Sequence, residues 1–129
     1  MIRFHIGAHP TRNAGALAPD VQGSLGIEVD GVDISGGRLE DRLVPTIATL
    51  VEAVARLVEG AARTAAVPFD EGSIELIIAR HGDAVSLSLV SLPRPARVLV
   101  RDLEVDLDAL AAGAAECGAE ILTLSLIHI

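Results

Sequence analysis

A chain of 129 residues that is 50% hydrophobic and 22% charged has the profile of one globular domain, which excludes a disordered tail and a collagen-like repeat. Its formal net charge of −8 repels phosphate and anionic lipid, whereas a nucleic-acid binder carries a clustered basic face, so neither nucleic acid nor membrane is expected as a partner. With Phe4 and Phe69 as the only aromatic residues, the core must be aliphatic and there is almost nothing on which a base could stack.

All ten basic residues are Arg, which, with the heavy use of Ala, Gly and Val, reads as the codon bias of a GC-rich bacterial genome. The single Cys, Cys117, cannot form an internal disulfide, so no oxidising compartment is needed. The start, MIRFHIGAHPTR, lacks the continuous apolar stretch of a signal peptide, and no later segment reads as a membrane span. The cytoplasm is the expected location.

In chain order, IRFHI alternates, with Ile2, Phe4 and Ile6 on one face of a strand and Arg3 and His5 on the other. GAHPTRNAGALAPDVQGS follows with no periodicity and reads as a long loop. In GIEVDGVDIS, Asp30-Gly31 tolerates the positive φ angles of a type I′ turn, so Ile27 and Val29 are expected to pair with Val32 and Ile34. Apolar residues then recur at Leu39, Leu43, Val44, Ile47, Leu50, Val51, Val54, Leu57 and Val58, which predicts an amphipathic helix. Pro45 fits only in a first turn, so the stable helix is expected to start near Asp41 and to end at Gly60.

RTAAVPF, SIELIIAR, AVSLSLVSL and ARVLVRDL read as strands, the middle two joined by the turn-forming HGD. VDLDALAAGAAECGAEIL reads as a second helix, with Asp106 as N-cap and Asp108 well placed in the first turn, and with Gly113 and Gly118 leaving its length open. No internal repeat shows at solenoid periods. The order predicts a single α+β domain over 1–123, a two-layer sandwich of mostly antiparallel β-sheet with two helices packed on one face.

Chemistry is sparse. His5 and His9 are four apart, but on a strand and a loop that spacing does not converge on a metal, and two solvent-facing imidazoles are the simpler reading. His81 and Asp83 are explained by turn formation. Cys117 has Glu116 beside it, which raises a thiol's pKa, so it reads as a small packed residue rather than a nucleophile. The acids Glu28, Asp30, Asp33, Asp102, Glu104, Asp106 and Asp108 match no EF-hand spacing and read as solvated edges and a helix cap. GSLG is not a hydrolase elbow, and no phosphate-loop or dinucleotide-binding pattern occurs. No catalytic, cofactor or metal residue is therefore assigned.

Two clusters remain. Arg94, Arg97 and Arg101 gather around the last strand, where alternation would put Arg97 and Arg101 on one face toward a carboxylate-bearing partner. The competing expectation is that they pair with Asp102 and Glu104 or guard a sheet edge. His9, Arg12 and Asn13 lie in the long loop, where a small-molecule or enzymatic site would sit. The leading expectation is a non-enzymatic protein or domain acting through contact with a protein partner or with its own copies, in an inhibitory, immunity-type or accessory role. The alternative is a small enzyme or ligand-binding domain using the loop around residues 7–15.

The last six residues, LSLIHI, can be read as a strand. They also resemble the in-frame translation of the transposon mosaic end used in sequencing libraries, CTG TCT CTT ATA CAC ATC, whose ATA codon is foreign to a GC-rich gene. Residues 124–129 are therefore expected to be an adapter translation, a reading that a nucleotide record with different codons overturns.

Overall fold

The alternation in IRFHI is realised in β1 (Ile2–Ala8), where Ile2 and Phe4 are buried and Arg3 is exposed. β1 pairs antiparallel with β2 (Gln22–Val29). The protein is described by a computed structural model over residues 1–8, 22–35, 39–69, 72–92 and 96–127. β2 turns through Asp30 and Gly31, with φ of 49° and 83°, into β3 (Val32–Asp33). Val29 faces Val32, and the Ile34 N–H donates to the Ile27 carbonyl at 2.9 Å. The hairpin and its register are those expected from Asp-Gly.

Leu39 is corrected from helix to strand. It lies in β4 (Leu39–Arg42), which pairs with the first half of β2 and runs directly into α1 (Leu43–Glu59). Leu39 and Leu43 are both buried, and a strand feeding a helix at this spacing imitates one more helical turn. Pro45 occupies the first turn, where its missing donor has no partner to lose. Gly60 closes the helix at φ 79°, and the Ala61 N–H donates to the Arg56 carbonyl at 2.9 Å.

β5 (Thr64–Phe69), β6 (Ile74–His81), β7 (Ala84–Ser91) and β8 (Arg97–Asp106) form a second antiparallel sheet in that order, and β8 leads straight into α2 (Leu107–Ile127). The class is α+β as expected, with its strands divided between two sheets. One face of each sheet and both helices share one core, which includes Phe4, Ile27, Leu50, Phe69, Leu87 and Leu110.

Each half of the chain is thus an antiparallel meander ending in a helix. α1 packs on β5, α2 packs on β1, and the helices pack on each other. Buried residues recur at matching steps: Leu43, Thr46, Leu50 and Leu57 on α1, and Leu107, Leu110, Ala114 and Ile121 on α2.

α2 runs through both of its glycines. At Gly113 an added Cβ would stand 2.6 Å from the Ile2 carbonyl oxygen, so the glycine permits the helix to lie against β1. The backbone of residues 124–127 continues α2, which corrects the strand reading of the tail. Leu124 and Leu126 are good helix formers, and adding residues to an existing helix costs far less than starting one. Among the described residues no helix is long and apolar enough to cross a membrane.

Candidate interaction surface

β8 ends the order β5-β6-β7-β8, so among the described residues one of its edges has no strand partner. Its register with β7 slips twice. Arg97 faces Ser91 and Val98 faces Val90, but Val100 faces Leu89 and Leu103 faces Leu87. Leu99 is therefore one extra residue opposite Val90, and Arg101 and Asp102 together oppose Ser88. Each slip is a β-bulge, which directs two neighbouring side chains toward one side of the sheet.

The consequence is visible in the burial. Leu87 and Leu89 are buried, with Val100 and Leu103 packed partly against the core, while Val98 and Leu99 remain 49% and 48% exposed. Leu92, just after β7, is 44% exposed. The expected shared face for Arg97 and Arg101 is corrected: the bulge between them breaks the alternation, although both are exposed. The bulge at Asp102 carries φ 48°, a conformation Asp tolerates. There the Asp102 N–H donates to Ser88 Oγ at 2.9 Å, and Ser88 donates back to Asp102 Oδ1 at 3.4 Å.

Among the described residues the ion pairs join the Met1 amino group to Asp30 at 2.5 Å and His5 to Glu28. Neither Arg97 nor Arg101 pairs with Asp102 or Glu104. Arg94, and the loop residues His9, Arg12 and Asn13, lie outside the described residues.

The remaining candidates resolve into structural roles. His5 keeps 39% of its side chain exposed, and Glu28 on the adjacent strand holds its Nε2. Asp33 accepts from both the N–H and the hydroxyl of Ser35, at 2.9 and 2.5 Å, tying off the end of β3. Cys117 is 1% exposed, and burial, then Glu120 and Glu116, push its thiol up from 9.0 to about 12. A thiol held protonated is no nucleophile at neutral pH.

His81 and Ala84 flank the two-residue turn at Gly82 and Asp83, as the turn reading required. Sequence reading missed that a cleft of about 420 Å³ beside this turn brings together His81, Ser86, Asp102 and Glu104. No hydrogen bond links Ser86, His81 and Asp102 among the described residues, so nothing there activates the hydroxyl. No signal in the sequence joins these residues, since β6, β7 and β8 must first pair. Among the described residues no group of three or more His, Cys, Asp and Glu side chains could hold a metal ion.

Comparison with protein-family models, curated proteins and solved structures finds no match to this chain.

Proposed function

We propose that this protein acts without catalysis, by contact with a protein partner, and that the outward face of β8 makes the contact. The observation that carries the reading is the first bulge, which holds Val98 and Leu99 side by side in solvent between Arg97 and Arg101. Exposed apolar side chains rimmed by polar groups mark contact surfaces more often than isolated ones do, and Arg is enriched at the centres of interfaces. The bulges also blunt β8 against pairing with a foreign strand, so the contact is face-on rather than strand addition. Arg101, exposed and without an ion pair among the described residues, favours a partner that presents carboxylates.

The same reading places the protein in a bacterial cytoplasm, on the support of an all-Arg, Ala- and Gly-rich composition and a single buried thiol. Its net charge of −8 supports a partner other than nucleic acid.

Co-purification of the wild type and of Val98→Asp from the native host tests the proposal. A discrete partner retained by the wild type and lost from a folded Val98→Asp is the expected result. Equal retention by both proteins would refute the assigned surface, and a sedimentation profile that shifts with Val98→Asp would make the partner a second copy.

A further inference from the structure

We infer that the cleft at the C-terminal end of α1 binds a phosphate-bearing small molecule through Arg63 and Arg80. This cleft, of about 550 Å³, is lined by Gly60, Ala62, Arg63, Arg80, His81 and Gly82. It carries no carboxylate in a chain where acids outnumber bases by 18 to 10. Three other clefts among the described residues each include at least one: Glu116 and Glu120, Glu52, or Asp102 and Glu104.

The central guanidinium is held before any ligand arrives. Arg80 Nε donates to the Gly82 carbonyl at 2.8 Å, and Nη1 donates to the Leu57 and Val58 carbonyls at 2.6 and 3.1 Å. Arg has five donors, so the two on Nη2 remain for an acceptor in the cleft. A guanidinium fixed by its own chain loses little freedom on binding, which favours affinity.

The Arg80 N–H donates to the Arg63 carbonyl at 2.8 Å, which sets Arg63 opposite Arg80 on the neighbouring chain segment. The side chain of Arg63 has no hydrogen-bonded partner among the described residues. Gly60 and Gly82 leave open space where a side chain would stand. Arg80 is accounted for by its bonds to the Leu57 and Val58 carbonyls at the α1 C-terminus, whereas Arg63 makes no such bond among the described residues. Two guanidinium groups lining one open cleft can both donate to the oxygens of one phosphate group. This inference does not depend on the β8 contact.

The test is titration of the full chain with inorganic phosphate at fixed ionic strength, with chloride and acetate as references, followed by the NMR shifts of Gly60, His81 and Gly82. The expected result is a saturable shift with Kd on the order of 1 mM or tighter. Arg63→Gln should weaken it about tenfold and Arg63→Lys should restore part of it. Arg80 is left intact because it also ties down α1, and an unchanged thermal melt shows that Arg63→Gln stays folded. No saturable shift, an equal response to chloride or acetate, or unchanged affinity in a folded Arg63→Gln would overturn the inference.

Discussion

A methyl group at Gly113 would press on the Ile2 carbonyl from 2.6 Å, and backbone cannot move aside as a flexible side chain can. Gly113→Ala is expected to destabilise by about 1–3 kcal/mol despite Ala's better helix propensity, measured as a lower urea midpoint. A stability equal to or above wild type would show that α2 does not lie this close to β1. This role was invisible in sequence because the partner strand lies at the opposite end of the chain. Cys117 was legible, since its acidic neighbours stand beside it. Its thiol ionises near 9.0 when unfolded and near 12 when folded, so the unfolded chain binds fewer protons above pH 9. Stability is therefore unaffected by this group below pH 9 and falls as pH rises from 9 toward 12. Denaturation midpoints for wild type and Cys117→Ala across that range should show a flatter alkaline decline in the variant, whatever packing it loses.

At the scale of elements, the Asp30-Gly31 hairpin and the Gly60 helix stop were legible because each depends on local backbone geometry. The start of α1 was not, because Leu39 has the same four-residue spacing to Leu43 in a strand-to-helix run as in a helix. The bulges of β8 were equally hidden, being mismatches with β7 rather than properties of β8. Arg42 is the N-cap of α1, but its side chain makes no cap hydrogen bond although its backbone is extended, and no acid lies in the first turn. Arg42→Asp is expected to raise stability by about 0.5–1 kcal/mol, seen as a higher melting temperature. At the other end of α1, Arg80 binds the Leu57 and Val58 carbonyls. Arg80→Ala is expected to cost about 1–3 kcal/mol, and Arg80→Lys to recover only part, because an ammonium cannot reproduce the fork.

At the scale of the whole molecule, two meander-and-helix halves exchange coverage, each helix lying on the first strand of the other. Neither half buries its helix alone, so unfolding should be a single transition, with circular dichroism and amide-proton loss coincident. This plan repeats buried positions rather than identical residues, which is why no repeat could be read along the chain. The same exchange leaves Val98 and Leu99 on the outward face of β8 uncovered by the described elements, and the protein-contact proposal rests there. Site-specific photo-crosslinking in the native host tests it most directly, with the crosslinker at Leu99 and, as a reference, at Val58, an exposed apolar position on α1. The account requires a discrete adduct from Leu99 and none from Val58. A bare chain at Leu99, or the same adducts from both positions, would contradict it.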